Sequence, residues 1–391
     1  MPDSSTTTEN VDITSTDNAD TQSSESTDSL YPEDTNALAT DNTTLEDTVS
    51  QDNSANPVET SPVASTGGGN VIDVDRDYGG DLKSAIAAAG SGDTVQLGNN
   101  TYSASGITID KGITIDGQEG SVVDGGGTSD TIFNLTTDAS NATIQNIEIT
   151  NANNGIQSYG ASDLTLQNLN IHDIGISETI RDGQNNTGIT LNKADGAKVL
   201  NSTISNVGRK GIGIGDTSGA TVSGLTIENV NLGAEHAQNH DAAGIKLFNT
   251  SGVTVSDNNL SKINANYVWN DTNTGTTIEN NNLQDVGTDY LAPGFNSEVG
   301  DIVGIYDEKS ANSSVNNNNG TSADGFLVYD ATAFTTETLD LGNNDFSSQQ
   351  TGSIDYFANR DAEILVATTE DPGAANFDSF ADDYYAKAII G

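Results

Sequence analysis

The stretch from Gly188 to Phe346 decides the fold. Set in register it reads GITLNKADGAKVLNSTISNV (188–207), GIGIGDTSGATVSGLTIENV (211–230), GIKLFNTSGVTVSDNNLSKI (244–263), YVWNDTNTGTTIENNNLQDV (267–286), GIYDEKSANSSVNNNNG (304–320) and GFLVYDATAFTTETLDLGNNDF (325–346). Each line opens on a short alternating strand at or near Gly-Ile. A Ser/Gly/Asn/Asp turn follows, then a second alternating strand ending in Asn, then a third. A period of about 22 residues with several short strands predicts a parallel β-solenoid. One repeat has too few apolar side chains to bury a core. Stacking coils about 4.8 Å apart joins those positions into continuous columns. Ile189, Ile212, Ile245 and Ile305 are expected in one column, and Val199, Val222, Val255 and Ile278 in another. Asn258-Asn259, Asn281-Asn282, Asn317-Asn318 and Asn343-Asn344 recur at one turn, where stacked amides bond along the axis.

The 391 residues suit one solenoid, although ordinary domains of that length would number two or three. A formal net charge of -44, with 13 Lys+Arg against 57 Asp+Glu, argues against nucleic acid and anionic membrane surfaces as partners. There are no cysteines, hence no disulfide frame and no thiolate metal site. No apolar run approaches the length of a membrane span. Met1 is followed by Pro-Asp-Ser-Ser-Thr rather than a basic, then apolar, leader, so export is expected to be independent of a signal peptide.

Residues 1–69 are rich in Ser, Thr, Asp, Asn and Glu and lack Lys and Arg, and they read as a disordered acidic segment. The β-helix is expected over 70–350, with a C-terminal cap and tail over 351–391. Asn70 to Val74 reads as a strand. Asp81 then N-caps a short helix whose apolar face is Leu82, Ala85, Ile86 and Ala89, ending at Gly90. Such a helix covers the open end of a solenoid. At the other end, residues 362–367 read as a capping helix or strand.

The run DLKSAIAAAGSGDTVQLGNNTY (81–102) followed by GITIDKGITIDGQ (106–118), with the coils after Asn141, resembles the opening of pectin-lyase-like right-handed β-helix proteins. The resemblance spans about residues 70–347. It implies an all-β, right-handed parallel β-helix of three sheets with an N-terminal capping helix. Members include pectate and alginate lyases, mannuronan C5-epimerases, polygalacturonases and tailspikes, so a polysaccharide along the outside is commonly implied, whereas one reaction is not. The Asn-Thr-Asp-Gly and Gly-His-Gly signatures of polygalacturonases are absent, as are the Asp-Pro-His pattern of secreted epimerases and calcium-binding nonapeptide repeats.

Coil length varies at one junction. Gly188 to Gly211 is a bare coil, but extra residues fall at 173–186, 232–243 and 288–303. Insertions on one edge of a solenoid build a binding face. The rare residues gather there: all three histidines (His172, His236, His240), Arg181, and close by Arg209, Lys210, Lys246, Tyr306, Glu308 and Lys309. Outward parity places Gly213, Lys246 and Tyr306 in one column. A cationic cleft on an acidic protein calls for an anionic ligand, and uronate polysaccharide fits. Lyase or epimerase chemistry removes the C5 proton, which needs a cation on the carboxylate, a base and often an acid. Lys246, His240, Tyr306 and Arg209 are the candidate catalytic residues. Arg181, Lys210, His236, Asp241, Glu308 and Lys309 are the candidate substrate-binding residues. No metal ligands are assigned and no cofactor is required, with room left for Ca2+. Competing readings are a non-catalytic glycan-binding surface protein and a hydrolase using a pair among Asp241, Asp301, Asp307 and Glu308. Ice or mineral binding needs a flat Thr array, which Thr108 and Thr114 hint at and later coils are not expected to continue. Trp269 is expected inside the coil, and His172 as a turn residue.

Overall fold

The computed structural model describes residues 69–176, 186–231, 242–286, 303–308, 310–322, 326–330, 340–341, 344, 356–360 and 363–367, all within the unit 59–391. The expected disordered segment and the end of the tail lie outside these residues. Each coil contributes one strand to each of three parallel stacks, as the repeat requires. The first sheet has eleven short strands, from Val71–Asp73 and Thr94–Gln96 through Lys198–Leu200 to Ser314–Asn316 and Asp340–Leu341. The second includes Asn170–Ile174, Thr203–Val207, Thr226–Val230 and Asn259–Ile263. The third runs through Thr187–Asn192, Lys210–Gly215, Ala243–Phe248, Asn266–Asp271, Val303–Glu308 and Phe326–Asp330. The long strands Val122–Leu135 and Glu148–Tyr159 serve both the second and third sheets.

Core columns follow the sequence register. Ile189, Ile212, Ile245, Val268 and Ile305 stack in the third sheet, and Val199, Val222, Val255 and Ile278 in the first; every one is fully buried. Each such side chain contributes roughly 1.5–3 kcal/mol by leaving water. Where the chain opens a strand of the third sheet, successive coils come close. A Cβ built on Gly211 would lie 2.5 Å from the Gly244 carbonyl oxygen, so glycine is required there.

The turns carry the asparagines. Among the described residues, thirteen of the twenty non-glycine residues in the left-handed region are Asn and four are Asp, types that tolerate positive φ at each coil corner. A separate inward ladder satisfies the backbone at one turn. Asn258 Nδ2 donates to Asn281 Oδ1 (2.9 Å), Asn281 Nδ2 to Asn318 Oδ1 (2.9 Å) and Asn318 Nδ2 to Asn344 Oδ1 (3.1 Å). The same amides donate to the Val222, Val255 and Ile278 carbonyls.

At the N-terminal end, the strand stops at Asp73 rather than Val74. Asp73 accepts from Arg76 N and starts an additional helix, α1 (Val74–Tyr78), which ends on left-handed Gly79. The capping helix α2 (Leu82–Ala88) starts at Asp81, whose carboxylate accepts from Ser84 N. Its Leu82, Ala85 and Ile86 join the core beside Val95 and Leu97. At the far end, Glu363–Ala367 is a strand, antiparallel to Tyr356–Arg360.

Candidate functional site

Outward positions of the third sheet form a column because strand parity alternates faces. Thr190, Gly213, Lys246, Trp269, Tyr306 and Tyr329 follow one another coil by coil. Lys246 and Tyr306 therefore share a column two coils apart, as their parity predicts. Between them stands Trp269, which corrects its expected place in the core. The inward residues of that strand are Val268 and Asn270, both fully buried, while Trp269 is half-buried. Aligning YVWND with GIKLF and GIYDE puts Trp269 beside Lys and Tyr, so the signal is present in the repeat itself.

Three successive members of the column, Lys246, Trp269 and Tyr306, touch one another in series. The Lys246 Nζ lies 3.8 Å from the Trp269 ring centroid. Trp269 meets Tyr306 edge-on, with centroids 5.8 Å apart and planes inclined at 62°. Lys246 is only 7 % exposed despite its outward position. The π face is one of the groups that compensate a cation so far removed from water, an attraction that strengthens with desolvation. The site thus offers a fixed, poorly hydrated positive charge followed by two aromatic rings.

Of the other candidate cations, the two that are described, Lys210 and Arg209, stand at positions apart from this column. Lys210 opens its strand opposite Thr187 and Ala243 and is 3 % exposed. Three residues along the strand and one coil separate it from Lys246, roughly 10 Å along the strand direction. Arg209 precedes it, with its backbone N–H donating to the Asn186 carbonyl (3.2 Å). Glu308 is placed by register opposite Asp271. Arg181, His236, His240, Asp241 and Lys309 lie outside the described residues.

Two acids change meaning. Asp307 is fully buried and in register with inward Asn270, whose amide donates to its carboxylate. Asn273 Nδ2 in turn donates to Asn270 Oδ1 (2.7 Å). Asp307 belongs to an interior polar cluster and cannot flank a glycosidic bond, which removes it from the hydrolase set. His172 is not a turn residue. It sits within Asn170–Ile174, with Nε2 3.2 Å from Glu148 Oε1 and Nδ1 2.9 Å from Asp173 Oδ2. The left-handed turn residue is its neighbour, Asp173. Close by, a groove is lined by Gly117–Ser121, Asn146–Glu148, Asn168–Asn170 and Asn201.

The threonine array does continue beyond the early coils. Thr94, Thr114, Thr143, Thr165, Thr221, Thr254 and Thr277 occupy one outward column of the first sheet, interrupted by Lys198. The repeat hides this because the threonine precedes the inward Val or Ile and reads as part of the turn. The adjacent outward column holds Asp116 and Glu279, so the face is regular yet carries charge. Among the described residues no group of three or more His, Asp or Glu side chains is arranged to hold a metal ion, and no helix is long and apolar enough to cross a membrane.

A family profile described as "Right handed beta helix region" matches residues 80–283 and 154–364. The chain belongs to that family, in agreement with the pectin-lyase-like opening. Among solved structures it is similar to an alginate lyase from Paenibacillus sp. str. FPU-7, at 18% identity over 73% of this chain and 97% of that one, with a TM-score of 0.49. It is also similar to PfbA, a surface adhesin of Streptococcus pneumoniae (14% identity, 76% and 94% covered, TM-score 0.45). A third similarity is to the A-module of a mannuronan C-5 epimerase from Azotobacter vinelandii (15% identity, 71% and 95% covered, TM-score 0.41). No curated protein sequence matches. At these identities and scores none of the likenesses bears on activity, and membership rests on the family profile.

Proposed function

We propose that this protein is a carbohydrate-active enzyme that binds an anionic, uronate-containing polysaccharide along the outward face of the third sheet and acts on it by β-elimination or C5-epimerisation. The observation that carries the reading is the Lys246 ammonium, almost buried on an outward position and held 3.8 Å from the Trp269 ring. On a chain with formal charge -44, a desolvated cation fixed beside aromatic rings is suited to a carboxylate on a sugar. Lys246 would neutralise that carboxylate, which makes the C5 proton more acidic. Tyr306, two coils along, is in reach of the same polymer as acid or base. Arg209, Lys210 and Glu308 are assigned to flanking sugars, and Arg181, His236, His240, Asp241 and Lys309 remain candidates in the long connections. Ca2+ is retained as an optional cofactor. Because such polymers lie outside cells, we place the protein there or on the surface.

The test is to incubate the purified protein with a panel of uronate polymers, following absorbance of unsaturated products and proton NMR for inversion at C5. A product with one polymer, lost in Lys246→Ala, is expected. The second reading is a glycan-binding protein without catalysis. It is favoured by the bonding of Lys246 and Trp269 to each other, which makes a rigid platform. Binding of a uronate polymer with no product would select it.

A further inference from the structure

We propose that Glu148, His172 and Asp173 form a proton-dependent clip between two successive coils, closed when the imidazole is protonated and released when it is neutral. The cluster lies on the second sheet and is independent of the Lys246 column. Asn170 and His172 are in register with Glu148 and Thr150 of the preceding coil. His172 Nε2 faces Glu148 Oε1 at 3.2 Å, across the coil boundary. Nδ1 faces Asp173 Oδ2 at 2.9 Å, with Thr150 Oγ1 at 3.3 Å. Both ring nitrogens thus face carboxylate oxygens. A neutral imidazole donates from only one of them and would set its other lone pair against a carboxylate, whereas the imidazolium donates to both.

Among the described residues, the remaining groups around the ring supply no competing cation. On the next coil Ser205 is in register with His172, and Asn206 Nδ2 donates to Asp173 Oδ1 (3.1 Å). On the preceding side Asp124 is in register with Thr150 and accepts from Asn151 Nδ2 (2.9 Å). Glu228 follows Ser205 in the column and is paired with Lys262 at 3.6 Å. Because Asp173 also anchors the amide chain Asn206–Asn229, the clip touches four coils.

Burial of the ring lowers its proton affinity, but the hydrogen bonds and charges of Asp173 and Glu148 outweigh this and raise His172 above its ordinary range. The sign follows: the folded group binds its proton more tightly than the unfolded one. Its contribution is complete below the ordinary histidine value of about 6.5 and is lost as pH rises through the raised folded value.

The experiment titrates the full chain with labelled histidines by NMR, assigning His172 with His172→Gln. It also follows amide hydrogen exchange in peptides covering 148–152 and 170–174 against pH, corrected for intrinsic exchange. His172 should titrate above the ordinary value. Protection of both strands should fall across that titration, by about tenfold for each pH unit between the folded and unfolded midpoints. His172→Gln should lack the step, and Glu148→Gln should move the titration down. If His172→Gln does not fold, Glu148→Gln and Asp173→Asn supply the comparison. A titration at or below the ordinary value, a protection step that survives in His172→Gln or keeps its midpoint in Glu148→Gln and Asp173→Asn, or no step at all would overturn the clip.

Discussion

Lys246 occupies a position where a charge is expensive. A lysine 7 % exposed must recover its lost hydration from neighbours, and the Trp269 ring is one of them. Trp269→Leu removes that face, and we expect a loss of about 1–2 kcal/mol in urea unfolding, with weaker polymer binding in parallel. Phe at the same position keeps a π face and should lose less. Asp307 gives a second prediction at this scale. Its carboxylate accepts from Asn270 in a fully buried setting. Asp307→Ala takes away one of that amide's two acceptors, leaving Ser313 Oγ at 3.2 Å, and should cost about 1–3 kcal/mol, whereas Asp307→Asn should cost less. Neither should abolish product formation if Asp307 is structural, which activity assays on the folded variants check.

At the scale of the element, the coil corner is where sequence and structure constrain each other most tightly. Asn281 bonds the coil on each side through Asn258 and Asn318 and caps the Val255 carbonyl. Asn281→Ala removes the side-chain bonds to Asn258, Asn318 and Val255 at a buried site, leaving only its backbone N–H on Asn318 Oδ1, and is expected to destabilise the protein by roughly 2–4 kcal/mol, measured by denaturant unfolding. Gly211→Ala should also destabilise, because its Cβ meets a backbone oxygen that cannot step aside. These elements are legible in the sequence: the Ile and Val columns, the asparagine ladder and the Asp81 cap follow from period and turn chemistry. Trp269 is easily misread because its strand opens with Tyr267 instead of Gly-Ile, which obscures the parity. α1 is hidden by an apparent alternation across Asn70 to Val74, which gives no sign that Asp73 caps a helix. His172 is obscure for another reason: its partner Glu148 is one coil away, and a contact across 24 positions has no local signature. The threonine column escapes a local reading because it depends on register across many coils.

Across the whole molecule, stability is a sum over coils and the contacts between neighbours. The charge of -44 opposes that sum by self-repulsion. Added salt screens it, so the unfolding temperature should rise by a few degrees between low and moderate NaCl; an unchanged or falling temperature would show that repulsion is not a significant term. The same field repels an anionic polymer at long range. Binding to uronate chains should therefore strengthen as salt is first added, before screening weakens the contact at Lys246.

The most direct measurement is the calorimetric affinity of a uronate oligosaccharide series for the native protein and for Lys246→Gln. A native protein that binds the oligomers, with affinity falling at least about tenfold in the variant, is the predicted result, since one desolvated carboxylate contact is worth about 1.4 kcal/mol or more. Equal affinity in the two proteins, or no binding of any uronate oligomer by the native chain, would contradict the Lys246 column as the site.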